Sequence, residues 1–187
     1  NTATYSADGS GGAGYGWPTF VLMNDGIGNS YSGPNGYLDD FRYYDAVLTD
    51  SQIFTLFTNK NIYSNTAVLY PRCVLYYPFD GDILNYSTGT GATQGTITTT
   101  NNNLLLSSTS SIIGTGSLQV KNTGVSGSYF SIGTIPINGI GYSFSFWMYI
   151  TAYGTYNYRV FQFSNATIGA TKAIEAYINT TGDLVLN

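Results

Sequence analysis

The residues that could perform acid–base or nucleophilic chemistry are few in this chain of 187 residues. It has ten acidic residues, of which Glu175 is the only glutamate, a single cysteine, Cys73, and no histidine. Ser-His-Asp and Cys-His catalytic sites and His/Cys zinc sites all need residues that are missing here. Glu175 alternates with Ile174 and Ala176 in a predicted strand, where a solvent-facing position is its simplest interpretation. The chain is therefore predicted not to be an enzyme.

Charge and cysteine content narrow the classes of partner. The net charge is −4, and the six basic residues are spread along the chain instead of forming a patch. We therefore expect neither a nucleic acid nor an anionic membrane as partner. Cys73 has no second cysteine to pair with, and we interpret it as a small, partly buried strand residue in preference to a reactive thiol. No stretch approaches the roughly 20 apolar residues that span a bilayer.

The elements that must position any functional residue are predicted to be strands. Aromatic residues make up 16% of the chain, with 18 tyrosines, whereas charged residues make up only 9%. This composition indicates a folded chain, and tyrosine suits strands with one buried and one wet face. Short apolar runs separated by glycine-rich turns, with almost no helical pattern, predict an all-β sandwich.

Two strand patterns are the strongest. Alternation over residues 37–44 predicts one face with Leu38, Asp40, Arg42 and Tyr44, and another with Tyr37, Asp39, Phe41 and Tyr43. Over residues 143–150, one face is predicted to enter the core; it carries Phe144, Phe146, Met148 and Ile150.

One short helix is predicted near residues 50–57. Thr49 can serve as its N-cap, with Gln52 reaching back to complete a capping box. The helix then runs from Asp50 to about Phe57 and is expected to bury Ile53, Leu56 and Phe57. A polar connector follows at 59–65 and is the best candidate for a boundary between units.

Two groups of motifs resemble the LamG or pentraxin-like branch of the concanavalin A-like lectin/glucanase superfamily. Residues 36–44 read GYLDDFRYY and residues 48–53 read LTDSQI, similar to the strand and helix that end such domains. The opening of such domains resembles three further segments, with the expected order and spacing: FDG at 79–81, GTGSL at 114–118 and FSFWM at 144–148. The resemblance implies an antiparallel jelly-roll β-sandwich with one short helix.

The order of these motifs implies tandem domains, because the family's ending precedes its beginning. Residues 1–60 are then the C-terminal part of one LamG-like unit, 61–72 a connector, and 73–187 the N-terminal part of the next. Three arrangements remain open: a segment of a longer chain, a permuted single domain, or sheets completed by neighbouring protomers. The third arrangement leads to a head-to-tail filament.

The resemblance also implies candidate ligand sites, since LamG and pentraxin-like domains often bind Ca²⁺ through loop oxygens. The candidate calcium ligands are Asp80, Asp82, Asp39 and Asp40. An ordinary Asp-Gly-Asp turn and an ordinary sheet surface are the alternatives. The glutamate pair of the glucanase members is missing.

Sugar binding in such sandwiches uses aromatic platforms near loops, for which this sequence offers Tyr31, Tyr153, Tyr156 and Tyr158. Surface packing is the alternative for these tyrosines. Three sequons, a number that chance alone predicts here, make Asn85, Asn165 and Asn179 candidate glycosylation sites.

The expected function is a structural, self-associating repeat of an extracellular fibre or virion surface. The alternative is a carbohydrate-binding adhesin module, calcium-dependent in one version. Its expected partners are other copies of itself and, in the alternative, glycans. We expect it outside the cell, at a cell surface or on a virion.

Overall fold

The computed structural model describes residues 19–22, 35–58, 73–87, 96–98, 104–121, 129–132, 141–152, 158–164 and 172–186. These contain one helix, α1 (Asp50–Thr58), and eleven strands. The strands are β1 (Thr19–Leu22), β2 (Asn35–Tyr44), β3 (Cys73–Tyr77), β4 (Thr96–Thr98), β5 (Leu104–Ser107), β6 (Ser117–Val120), β7 (Tyr129–Ile132), β8 (Ser143–Ala152), β9 (Tyr158–Ser164), β10 (Lys172–Ile178) and β11 (Leu184–Leu186).

The strands form two antiparallel sheets. One has the order β11-β10-β9-β1-β7-β4, and the other has the order β3-β2-β6-β5, with β8 also paired to β2. Both sheets contribute to one apolar core, in which Phe144 of β8 stacks on Phe161 of β9 with ring centroids 4.4 Å apart. Tyr77 and Phe130 meet edge to face across the same core at 5.0 Å. The predicted all-β class with one short helix is confirmed.

Strand β2 lies at the centre of its sheet. Along one side it pairs with β8. Along the other side, Gly36–Leu38 pairs with β6 and Phe41–Tyr44 pairs with β3. Two strands that are distant in sequence therefore share one edge of β2, and they meet near Asp39 and Asp40.

A β-bulge at this junction inverts the faces of β2. The pairing with β8 shifts between Asp39 and Arg42, and Asp40 adopts a φ of 53°, in the left-handed region that aspartate tolerates better than most residues. Leu38 before the bulge and Phe41 and Tyr43 after it are all buried in the core. The strict alternation predicted for 37–44 is therefore wrong, because one inserted residue moves every later side chain to the other face.

Strand β8 follows its predicted pattern. Phe144, Phe146, Met148 and Ile150 all pack against the core, although each remains partly exposed. Trp147 and Tyr149 lie on the opposite face, across from Asp39 and Tyr37 of β2. The predicted core face of β8 is confirmed.

Helix α1 begins with the predicted capping box. The Thr49 backbone N–H donates to Gln52 Oε1 at 2.8 Å, and the Gln52 N–H reaches Thr49 Oγ1 at 3.4 Å. Leu56 is buried, but Ile53 is 52% exposed and Phe57 is 59% exposed. The prediction that Ile53 and Phe57 are buried is wrong, since the helix contacts the sheet through a narrower stripe.

The predicted connector at 61–72 lies outside the described residues. The two predicted units are not separate in the sheet, because β2 pairs with β3, β6 and β8 from beyond residue 73. The division into domains stays a prediction. Within the described residues, no helix is long and apolar enough to cross a membrane.

Candidate functional site

A loop before β6 is held by a carboxylate from the centre of the sheet. Asp39 Oδ2 accepts hydrogen bonds from the backbone N–H groups of Ile112 at 2.7 Å and Ile113 at 2.9 Å. Asp39 lies at the β2 bulge, opposite Trp147 of β8. The Asp39 carboxylate, at the bulge in β2, therefore binds the loop at Ile112 and Ile113, more than 70 residues away in sequence.

A second carboxylate holds the other end of the same loop. Asp80 Oδ1 accepts hydrogen bonds from the N–H groups of Thr115 at 2.6 Å and Gly116 at 2.9 Å. Asp80 follows the end of β3, and Gly116 precedes the start of β6. Asp80 thus bridges the gap between the two strands that share one edge of β2.

Two glycines of the GTGSL segment are explained by this bridge. A Cβ atom at Gly114 would collide with the Asp80 carboxylate, and Gly114 also has a φ of 78°. A Cβ atom at Gly116 would collide with the backbone carbonyl of Phe79. The FDG and GTGSL motifs therefore form one structural unit, in which the glycines leave room for Phe79 and Asp80.

The loop forms one wall of a pocket on the outer face of the β2–β8 pair. The pocket has a volume of about 310 Å³. Its lining residues are Tyr37, Asp39, Ser110, Ser111, Ile112, Trp147, Met148 and Tyr149. Carbon atoms dominate this lining, and Asp39 is its only ionisable carboxyl group.

Asp39 is electrostatically frustrated in this position. The residue is only 3% exposed, and its buried Oδ1 has no hydrogen-bond partner among the described residues. Burial raises the pKa of Asp39 to about 6, against the lowering effect of the two backbone N–H donors. The nearby carboxyl groups of Asp40 and Asp80 make smaller contributions to the same rise in pKa.

Aromatic rings form the rest of the pocket. Tyr37 and Tyr149 face each other across the strands, with ring centroids 6.2 Å apart and an angle of 11° between their planes. Trp147 stacks on Phe57 of α1 at 5.5 Å. Gln119 Nε2 donates to the Tyr37 hydroxyl at 3.0 Å, which orients that ring. Tyr149 remains 56% exposed.

Beside the pocket, Asp40 and Arg42 form a buried ion pair. Arg42 Nη2 donates to Asp40 Oδ1 at 2.8 Å, and the guanidinium lies 4.6 Å from the ring centroid of Tyr76. Burial lowers the pKa of Arg42, but Asp40, Tyr44 and Tyr76 together raise it above its usual value. Arg42 is therefore committed to neighbours within the sheet.

Cys73 lies fully buried in β3, in a small cluster with Tyr44, Leu48, Leu56 and Tyr76. Burial raises the pKa of its thiol to about 12. A thiol in this state is a poor nucleophile at neutral pH.

The four candidate calcium ligands are already engaged to different degrees. Asp39 and Asp80 hold the loop, and Asp40 pairs with Arg42. Asp82 accepts the Leu84 N–H at 3.0 Å and the Tyr86 hydroxyl at 2.6 Å, as in an ordinary turn. Among the described residues, no group of three His, Cys, Asp or Glu side chains is placed to hold a metal ion. Calcium binding stays a prediction.

None of the four candidate sugar-binding tyrosines has a side chain that the structure describes. Tyr31, Tyr153 and Tyr156 lie outside the described residues, and Tyr158 begins β9 with no described side chain. The structure instead brings together Tyr37, Trp147 and Tyr149, which sequence reasoning missed as a site. The signal that could have revealed them is a pair of large aromatics, Trp147 and Tyr149, on the face of β8 opposite its core residues.

The candidate glycosylation sites differ in environment. Asn85 binds along the edge of β3: its Oδ1 accepts the Tyr76 N–H at 2.9 Å, and its Nδ2 donates to the Val74 carbonyl at 3.1 Å. Asn179 Oδ1 accepts N–H groups within the β10–β11 turn. Asn165 lies outside the described residues. Glycosylation stays a prediction at all three.

Comparison of the chain with protein-family models, with curated proteins and with solved structures finds no match in any of the three.

Proposed function

We propose that this chain is a structural, self-associating repeat of an extracellular or virion-surface fibre, built from jelly-roll domains of the concanavalin A-like kind. The observation that carries the proposal is the position of β2. It lies between β8 on one side and β3 and β6 on the other, and all three come from residue 73 onward. Its residues Leu38, Phe41 and Tyr43 are buried in the core that both sheets share.

A central strand of this kind supplies both the backbone hydrogen bonds and the apolar side chains that hold the sheet together. Without β2, strands β3, β6 and β8 each lose one hydrogen-bonded neighbour, and an apolar core opens to water. Strand pairing and side-chain burial do not depend on which chain supplies the strand. If each copy offers its β2 to the next copy, the contact is head to tail and does not close, which produces a filament.

The composition and motif order add support. A chain with few charges and many Ser, Thr, Asn and Gly residues suits a surface that repeats along a fibre. The motif resemblance places β2 at the end of one unit and β3, β6 and β8 in the next, as exchange between units requires. Catalysis is not part of the proposal, because the chain has no histidine and a single glutamate.

A disulfide exchange experiment tests whether β2 pairs between chains. Tyr44 and Cys73 are cross-strand neighbours of β2 and β3, at a spacing in antiparallel pairs that suits a disulfide. Chains carrying Tyr44→Cys with Cys73→Ser are refolded together with wild-type chains and then oxidised. We expect disulfide-linked dimers on non-reducing gels, because each chain then holds only one cysteine of the pair.

The control replaces an exposed residue near the same strand. Val47→Cys with Cys73→Ser, mixed with wild-type chains, measures disulfides formed by random collision. Light scattering over a wide concentration range gives the accompanying mass. Dimer yield no higher than in this control, together with a strict monomer at high concentration, would rule the proposal out.

A further inference from the structure

We propose that the pocket lined by Tyr37, Asp39, Trp147 and Tyr149 binds an organic cation, specifically an alkylammonium or quaternary ammonium group. This binding role is separate from self-association through β2. The charge of the pocket, its aromatic lining and its covered carboxylate all favour such a ligand.

Among the side chains that the structure describes, no cation compensates the negative charge of the pocket. Asp39 is buried, and its Oδ1 atom has no hydrogen-bond partner within the described part of the chain. A buried carboxylate without a counter-charge is costly, and a nearby cation removes much of that cost. Of the described residues, Asp40 and Asp80 act on Asp39 electrostatically, and both are carboxyl groups that raise its pKa. Arg42 does not compensate Asp39, since it is bonded to Asp40 and packed on Tyr76.

The aromatic lining favours the same class of ligand. Ring faces of tryptophan and tyrosine attract cations within about 6 Å of the ring centroid. Trp147, Tyr149 and Tyr37 all line this pocket, and Met148 and Ile112 add apolar surface around them. An apolar lining lowers the local dielectric constant, which strengthens both the attraction to the rings and the attraction to Asp39.

The buried position of Asp39 Oδ1 favours a cation over a sugar as the ligand of this pocket. A sugar hydroxyl must come within about 3 Å of an acceptor to donate a hydrogen bond. Asp39 Oδ1 has almost no accessible surface, so a hydroxyl in the pocket cannot reach it without movement of the protein. The negative charge, by contrast, acts through space on any cation in the pocket. A volume of about 310 Å³ suits a small ammonium head group.

Calorimetric titration of the intact chain with choline tests the proposal, with 3,3-dimethylbutanol as the uncharged isostere and methyl glucoside as the sugar. At pH 7.5 we expect choline to bind at least about tenfold more tightly than the isostere. At pH 5 we expect choline affinity to fall by up to about tenfold, because the Asp39 carboxyl is then mostly protonated.

Two variants locate the site. Asp39→Asn keeps an acceptor for the loop N–H groups and removes the charge, so it should weaken choline binding about tenfold at pH 7.5 and abolish the pH dependence. Tyr149→Ser changes an exposed side chain and should weaken choline binding severalfold. The matched control, Asp82→Asn, removes a carboxylate that does not line the pocket and should leave affinity unchanged.

Three outcomes overturn the proposal: equal affinity for choline and its uncharged isostere, binding of methyl glucoside without binding of choline, or full choline affinity in folded Asp39→Asn. Any of these leaves self-association through β2 untouched, because the disulfide exchange experiment reads that property independently. Unfolding curves of each variant confirm that a loss of binding reflects the pocket and not the fold.

Discussion

Asp80 Oδ1 accepts a hydrogen bond from the backbone N–H of Gly116 at 2.9 Å, across 36 residues of sequence. This contact joins the end of β3 to the start of β6 at the point where both border β2. A residue that resembles a calcium ligand in sequence therefore acts as a clamp between two strands.

Removing this clamp should destabilise the protein. Asp80→Ala leaves the N–H groups of Thr115 and Gly116 without an acceptor, and we expect a loss of about 1–3 kcal/mol in the free energy of unfolding. Asp80→Asn keeps one acceptor oxygen and should cost less. Urea denaturation measures both. Asp82→Ala, in the neighbouring exposed turn, is the control and should cost less than about 1 kcal/mol.

Gly114 should be intolerant of a side chain because of the same clamp. Gly114→Ala brings a Cβ atom onto the Asp80 carboxylate and also strains a φ of 78°. Gly81 has a φ of 111° with open space around it, so Gly81→Ala measures backbone strain alone, about 1–2 kcal/mol. Thermal or urea unfolding should show a clearly larger loss for Gly114→Ala. In the Asp80→Ala background, the loss caused by Gly114→Ala should fall toward that of Gly81→Ala. If the losses from Gly114→Ala and Asp80→Ala are strictly additive, the close contact between Gly114 and Asp80 is contradicted.

Asp39 should make the protein less stable as the pH rises. Its pKa in the folded chain is about 6, above the ordinary value of 3.8, so the folded state binds the proton more tightly than the unfolded state does. This contribution to stability is fully present below pH 4 and is lost as the pH rises through 6. It is on the order of 1–3 kcal/mol.

The check on Asp39 is a difference curve. The free energy of unfolding is measured between pH 4 and pH 8 for the wild type and for Asp39→Asn. The free energy of unfolding of Asp39→Asn should increase relative to that of the wild type as the pH rises, because the asparagine side chain does not ionise. Parallel curves would show that the carboxyl of Asp39 is not strained by burial.

Breaking the buried ion pair should cost more than removing it. Arg42→Leu leaves the Asp40 carboxylate buried without its partner, and we expect a loss of about 3–5 kcal/mol. Adding Asp40→Asn removes the unpaired charge and should recover part of that loss. Denaturant titrations of both single variants and the double variant give the coupling. No recovery in the double variant would indicate that the Arg42 contact with Tyr76 matters more than the ion pair.

Several features followed from local sequence alone. The capping box at Thr49 and Gln52 predicted where α1 begins, because capping involves residues only three positions apart. The core face of β8 was readable because an unbroken alternation keeps its apolar side chains on one side. Neither inference required knowledge of what the element packs against.

The candidate site could not be found in this way. It depends on pairing β2 with β8, which places Asp39 opposite Trp147 and Tyr37 opposite Tyr149. It also depends on the loop at Ile112, held by Asp39 across more than 70 residues. Sequence reasoning treated Asp39 as a metal ligand or a surface residue, because its burial is set by chain segments far away.

By itself, the sequence determined the strand-rich class, the single capped helix and the absence of the histidine that familiar catalytic sites need. These properties are written in composition and in short-range periodicity. The tertiary structure alone decided which side chains of β2 enter the core shared by the two sheets, because the bulge at Asp40 shifts the pairing of β2 with β8 by one residue. That one-residue insertion carries Phe41 and Tyr43 into the core and leaves Asp39 facing the pocket.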